Sequence, residues 1–316
     1  MNLSSGLPLR SSRRLQLRRK SIKPPPFDYV APSTLPEALA VLASDEDAKV
    51  IAGGQSLLPL LALRLARPTV LVDLDGLGLD GVYVDPPGPG ALVRLGAMVR
   101  QRRIELDPDL GAAVPLLVEA VRHVGYVATR NRGTLGGSLA HADPVAELPA
   151  VVVALGGTVV AVGPSGSREV VAADLAESFF TTTLAPDEVL TEIRLPRCPE
   201  LHGAAWCEWS PRAHDFATAG VGVAVDLDRD GTCVAVRAAA CGVGGRPVSI
   251  GDALAGAGLV GADRVTSTLL DATSAAVIDR CGDLDDEDRI RLAGLLAARA
   301  ARTAMDRALL RLREAA

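Results

Sequence analysis

The sequence of 316 residues is 48% apolar and 22% charged, which suits a folded chain with a large core and more than one domain. Its 33 basic and 38 acidic residues leave a net charge of -5 and are mixed along most of the length, so no duplex-DNA footprint is present and nucleic acid is not an expected partner. The five cysteines (Cys198, Cys207, Cys233, Cys241 and Cys281) are odd in number and lack C-x-x-C spacing, which argues against a disulfide framework, a zinc site or an iron–sulfur site and fits a reducing cytoplasm.

Residues 1–22 read as a disordered basic tail, carrying Arg10, Arg13, Arg14, Arg18, Arg19 and Lys20 with no acid. No apolar h-region follows, so a secretory or twin-arginine signal is not supported. An organellar presequence has the same Arg and Ser bias, and a start assigned too early is the simpler account. From Lys23 onward the chain is structured. Pro24 to Pro26 force an extended entry and Phe27 to Val30 suit a strand. A helix with Ser33 as N-cap and Glu37 in its first turn follows, with Leu35, Ala38, Leu39 and Leu42 at helical spacing. Lys49 to Ala52 predicts a short strand running into Gly53-Gly54, and Leu57 to Leu65 a helix behind that turn. Val70 to Leu74 predicts another strand, with Asp75-Gly76 as the turn after it.

Pro86 to Met98 reads as a loop and a strand, and Ala112 to Val124 as a helix. A glycine-rich polar region precedes a helix beginning near Pro144. Its apolar run from Pro149 is too short to span a bilayer and is split by Gly156 and Gly157, so no membrane span is expected. Val159 to Val162 and Val170 to Val171 form a hairpin-like pair, VLTEIRLP alternates as a strand, and Pro196 and Pro199 mark a domain boundary. Beyond it lie two β-rich runs joined by Asp228 to Gly231, then two helical stretches. The last runs from about Asp285, with Ile290, Leu292, Leu295 and Leu296 on its apolar face. Asp285, Asp286, Glu287 and Asp288 stand at the positive end of its dipole.

Two segments carry chemistry. In IAGGQSLLPL, from Ile51, adjacent glycines after a strand let the backbone turn sharply and approach a ligand, and successive free N–H groups there suit a pyrophosphate. Taken singly, such turns are common without any ligand. In RGTLGGSLAHADP, from Arg132, Thr134 and Ser138 bracket Gly136-Gly137, so that loop offers backbone and hydroxyl donors to the same anion. Neither is a G-x-G-x-x-G fingerprint or a P-loop, so a Rossmann domain is not implied.

Together with KPPPFDYVAPSTLPEALAVLA, FFTTTLAPDEVLTEIRLP, HDFATAGVGVAV and RIRLAGLLAARAARTA, these segments follow one another in a familiar order. The chain from Lys23 nearly to its C-terminus resembles the FAD-binding medium subunit of the xanthine dehydrogenase and carbon monoxide dehydrogenase family of molybdenum hydroxylases. The resemblance implies an α+β fold: a two-subdomain FAD-binding domain of the p-cresol methylhydroxylase type over residues 23–199, split near 75–85, then a smaller α+β domain over 200–316, an antiparallel sheet with helices. It makes Ala52, Gly53, Gly54, Gln55 and Ser56 the first pyrophosphate loop, and Thr134, Leu135, Gly136, Gly137 and Ser138 the second. Glu147 is the acid for the ribose or adenine end of FAD, and Val124 and Ile193 are apolar walls of the cofactor cleft. It further implies a small partner subunit with [2Fe–2S] clusters and a large molybdopterin subunit, assembled as a dimer of heterotrimers. This chain would then be an electron-transfer relay from the clusters to an external acceptor, with no catalytic residue or metal of its own. Gln55 departs from the histidine of several relatives, and Glu208 or Cys207 lies near a lysine that some place close to the flavin. Flavin potential and acceptor preference are therefore less fixed than FAD binding.

Other residues have plainer readings. His141 and Asp143 suit an Asp-Pro turn better than a metal site. His214-Asp215 has no nucleophile beside it, and Arg212 and Asp215 read as domain-packing residues near the cleft. Trp206 and Trp209 read as core, and the cysteines as small buried apolar residues. The competing functions are a stand-alone FAD-dependent oxidase of related fold and a scaffold whose flavin site has decayed.

Overall fold

The computed structural model describes residues 23–281 and 286–316; the basic tail and Asp285 lie outside the described residues. β1 (Asp28–Val30), α1 (Leu35–Ser44), β2 (Lys49–Ile51), α2 (Leu57–Ala62) and β3 (Val70–Asp73) form the first unit. Its sheet has the order β1-β3-β2 with parallel pairing, which needs the two crossover helices. Its core is small: Ala38, Leu42, Ala48, Val72 and Leu74, joined by Met98 and Val189 from the next unit.

Two details correct the sequence reading. The N-cap of α1 is Thr34, not Ser33: Thr34 accepts from the Glu37 N–H at 3.4 Å, while the Glu37 carboxylate accepts from both the N–H and the hydroxyl of Ser33 at 2.9 Å. Ser33 is the reciprocal half of the capping box. α2 stops at Ala62 because Arg64 turns left-handed (φ 59°) and the Leu65 N–H returns to the Leu60 carbonyl at 2.9 Å, closing the last turn.

The second unit comprises β4 (Val82–Val84), β5 (Leu92–Gly96), α3 (Gln101–Leu106), α4 (Pro108–Ala113), α5 (Pro115–Val121), α6 (Val127–Arg132), α7 (Leu135–His141), α8 (Glu147–Ala154), β6 (Thr158–Gly163), β7 (Gly166–Val171), β8 (Ala176–Ser178), β9 (Thr181–Thr182) and β10 (Val189–Pro196). Its main sheet is β4-β5-β10-β6-β7, antiparallel throughout, and β8 pairs with β9. The helix expected over 112–124 is two, because Pro115 drives Val114 out of the helical region (φ -142°). The glycine-rich stretch expected as loop holds α7, and the helix expected near Pro144 starts at Glu147. The helices bury Ile104, Leu116, Leu117, Leu135 and Leu148 against Val93, Leu95 and Ile193 of the sheet.

β11 (His202–Trp209), β12 (Ala219–Leu227), β13 (Cys233–Cys241) and β14 (Val248–Ser249) form an antiparallel meander, followed by α9 (Gly251–Gly256), α10 (Ser267–Arg280) and α11 (Glu287–Ala315). The Asp228–Gly231 turn is as expected, with the Asp228 carboxylate accepting from the N–H groups of Asp230 and Thr232 at 3.0 and 2.9 Å. β12 is buried along its whole length, with α11 crossing one face of the sheet. The approach is so close that a side chain on Gly203 would meet the Ala304 carbonyl at 1.9 Å, so Ala297, Ala300, Ala301, Ala304 and Ala308 line the helix there.

Candidate functional site

The first glycine segment leaves β2 at Ile51 and enters α2 at Ser56. Gly53 and Gly54 are buried, and Gly54 is left-handed (φ 71°), a conformation glycine adopts without cost. The Gln55 side chain folds back, its amide donating to the Gly53 carbonyl at 3.1 Å. Among the described residues no acceptor takes the backbone N–H of Gly53, Gly54, Gln55 or Ser56. Two of these donors belong to buried residues, where an unmet N–H is costly unless a ligand supplies the acceptor.

The second segment differs from its expected form. Thr134 is the N-cap of α7, and its hydroxyl oxygen accepts from the Gly137 N–H at 3.0 Å. The Leu135 N–H donates to Val99 at 3.0 Å, Gly136 to Ala97 at 2.8 Å, and Ser138 to Thr134 at 3.2 Å. The backbone donors of Leu135 to Ser138 are therefore spent inside the protein, and what these four residues leave for a ligand is a helical wall with the hydroxyl of half-buried Ser138.

The fold brings the two segments into contact. A side chain on Gly53 would strike the Arg132 carbonyl at 2.2 Å and the Gly133 Cα at 2.8 Å, and one on Gly137 would touch the Ala52 methyl at 3.4 Å. Gly136 rests on Ala97 with equal closeness, at 2.5 Å to its Cβ. These glycines serve close approach, which is what a narrow phosphate-bearing cleft requires.

Glu147 opens α8 and is only 7% exposed. Burial, with the nearby negative charge of Glu208, raises its pKa to about 7, while His123 offsets part of that rise. Glu208, on β11, accepts from the Trp206 indole N–H at 2.9 Å and pairs with His123 at 3.2 Å, so His123 is held above the ordinary histidine range. Val124, adjacent to His123, is half-buried, and its carbonyl accepts from Arg130 at 3.0 Å. Buried Arg130 also donates to the Gly125 carbonyl and to both oxygens of Glu105, at 2.8, 2.8 and 3.2 Å. Ile193 does not belong with these residues. It is 0% exposed in the middle of the main sheet, opposite Leu95 and Val159, so it has no surface to offer a cleft.

Trp206 is 3% exposed and Trp209 is 50% exposed, because an odd spacing on a strand puts them on opposite faces; core holds for the first only. The Asp143 carboxylate accepts from the Val145 N–H at 3.1 Å, the turn expected of it. His141 packs its ring 5.2 Å from that of Phe180, and burial lowers its pKa. The His214 ring lies 5.0 Å from Tyr126, joining the loop after β11 to the turn before α6. All five thiols are free, and burial pushes Cys198 and Cys281 up to about 11, which favours the protonated thiol.

Fold and site together define a two-subdomain nucleotide-cofactor module, distinct from a Rossmann domain, coupled to a sheet-and-helix C-terminal unit. The family described as FAD binding domain in molybdopterin dehydrogenase matches residues 25–198. The chain is 39% identical to the 6-hydroxypseudooxynicotine dehydrogenase complex subunit alpha of Paenarthrobacter nicotinovorans, over 71% of this chain and 75% of that subunit. It is 34% identical to the caffeine dehydrogenase subunit beta of Pseudomonas sp. (strain CBB1), over 90% and 97%. It superposes with a TM-score of 0.83 and 34% identity on a chain of Hydrogenophaga pseudoflava carbon monoxide dehydrogenase, a structure lacking the Mo-pyranopterin moiety of the molybdenum cofactor, covering 90% of this chain and 99% of that one. The chain belongs to the FAD-binding subunits of molybdopterin dehydrogenases.

Proposed function

We propose that Gly53, Gly54, Gln55 and Ser56 hold the FAD pyrophosphate with their backbone N–H groups, against a wall made by Ala52 and by Thr134, Leu135, Gly136, Gly137 and Ser138. The four unpaired donors carry this reading: a pyrophosphate supplies the anionic acceptors they lack, and no lysine is needed. Glu147 accepts from a hydroxyl of the cofactor, and Val124 lines the cleft. Ile193 is left as support for β10. The cofactor domain spans 23–199 and the C-terminal domain 200–316.

Bound FAD supplies a two-electron acceptor able to exchange with one-electron centres. The chain orients that group and excludes water from it. Its electrons come from [2Fe–2S] clusters of a small partner subunit, reduced in turn by a large molybdopterin subunit, and leave to an external acceptor. The assembly is a dimer of heterotrimers in the cytoplasm, a compartment that suits free thiols. Among the described residues no helix is long and apolar enough to cross a membrane.

Flavin absorbance of the purified chain tests the cofactor; its absence in protein refolded with excess FAD would sink the reading. Co-expression with both partners should give turnover that the chain lacks alone. An isolated chain reduced by an organic substrate as fast as the full assembly is the result that favours the stand-alone oxidase.

A further inference from the structure

Arg100, in the link between β5 and α3, belongs to neither glycine segment, yet it contacts both halves of the cleft. Its guanidinium donates through one nitrogen to the Arg132 carbonyl and through another to the carboxylate of Asp75. Asp75 opens the turn that follows β3, in the first subdomain, and its own N–H donates to the Asp73 carboxylate at 2.9 Å. The Arg132 carbonyl is the atom against which Gly53 rests. Around the same point, Arg100 makes an isolated antiparallel bridge with Thr134, and the Gln101 N–H donates to Gly133 at 2.9 Å. The Gln101 side chain, 5% exposed, backs Gly133 from the far side. One side chain, 25% exposed, therefore ties the end of the first sheet to the peptide that the first glycine segment leans on.

We infer that Arg100 is the positioning residue that sets the distance between the two glycine segments, and through it the affinity for FAD, without touching the cofactor; this rests on the FAD site proposed above. The planar fork of arginine reaches two acceptors at fixed separation. Lysine, a point charge on a flexible stem, serves one at a time. Loss of the clasp leaves the Arg132 carbonyl unmet on the guanidinium side and lets the subdomains move apart, which spreads the four N–H donors away from their wall.

The test uses the full chain and four variants: Arg100→Lys, Arg100→Met, Asp75→Asn, and the exchange Asp75→Arg with Arg100→Asp. FAD affinity is measured by fluorescence titration, and amide hydrogen exchange is followed in the cofactor-free protein at the hydrogen-bonded amides of Leu58, Leu60 and Leu63 behind the first segment and at 133–138 in the second, with β12 as the internal reference. Arg100→Met should weaken FAD about 100-fold and Arg100→Lys about 10-fold. Both should speed exchange at the α2 amides that bond back to Gly54 and Ser56 and at 133–138, and leave β12 unchanged. The charge exchange restores the ion pair but cannot donate to the Arg132 carbonyl, so it should rescue neither readout. Wild-type affinity in Arg100→Met, or full rescue by the charge exchange, would overturn the assignment. If wild-type chain binds no FAD, the cofactor reading fails by itself; the exchange pattern then decides whether Arg100 holds the segments together.

Discussion

The contact between Gly53 and the Arg132–Gly133 peptide offers a direct probe of how the cleft is built. Gly53→Ala would place a methyl carbon 2.2 Å from the Arg132 carbonyl oxygen and 2.8 Å from the Gly133 Cα, so the two segments would have to part by about 1 Å to reach ordinary contact. No rotamer relieves such a clash, since both struck atoms are backbone. The peptide has little room to retreat, because a side chain on Gly133 would already meet the Gln101 amide at 2.6 Å. Overpacking of this kind costs about 1–3 kcal/mol, and the upper end applies to a buried backbone pair. If the opening appears as lost pyrophosphate contact, FAD affinity should fall about 10- to 100-fold, which is about 1.4–2.7 kcal/mol. Fluorescence titration of the cofactor-free chain reads this, with Gly88→Ala as control because nothing lies within 4 Å of that position. Gly53→Ala that melts normally and binds FAD as tightly as wild type would refute the idea that close approach of the segments shapes the site.

Gly54→Ala meets only side-chain atoms, Leu58 at 3.1 Å and Ile51 at 3.6 Å, but sits at φ 71°, so its cost is mainly conformational, about 1–2 kcal/mol; Gly54→Asn should be milder, and equal FAD affinity in both would remove backbone conformation as the cause. Glu147, with a folded pKa of about 7 against 4.5 unfolded, binds more protons folded than unfolded between those values, so the cofactor-free chain should lose up to about 3 kcal/mol of stability as pH rises through that window. Glu147→Gln should erase this loss at pH 8 and change little at pH 4.5; urea unfolding at the two pH values checks it, and a pH-independent difference would contradict the buried, unpaired carboxyl. Glu147→Ala should weaken FAD more than FMN if the acid serves the adenosine end, whereas equal weakening would remove that role. Arg130→Met removes the buried fork on Glu105, which keeps Arg102 at 2.8 Å, and should cost about 1.5–3 kcal/mol by thermal melting, with Arg130→Lys intermediate; a loss under 1 kcal/mol would show the fork to be dispensable.

Strand, glycine turn and helix over residues 49–62 were legible because a short apolar run ends in Gly53-Gly54 and a helical run follows; the helix end was not, since it is set by the left-handed turn at Arg64. The second segment was misread as a loop because paired glycines depress helix propensity; what makes it helical is tertiary, the Thr134 cap and the seat of Gly136 on Ala97. Ile193 shows a different limit. Alternation in VLTEIRLP locates an inward face, but only the pairing of β10 between β5 and β6 reveals that inward means the main core. Arg100 with Asp75, and His123 with Glu208, left no trace in the sequence, since their partners are far apart along the chain and nothing in their spacing signals a contact.

The two halves of the cleft are finished to different degrees. The start of α7 has every backbone donor satisfied before any ligand arrives, whereas the turn at Gly53–Ser56 does not. On the FAD site proposed above, the larger subdomain is a prebuilt mould, while the smaller one, with few core residues of its own, is completed by the cofactor. Mass action then ties the integrity of that smaller unit to cofactor supply. A chain short of FAD would open first around α2 and its left-handed Arg64, where a protease would find its earliest cut, and a starved cell would clear unloaded subunits from that end.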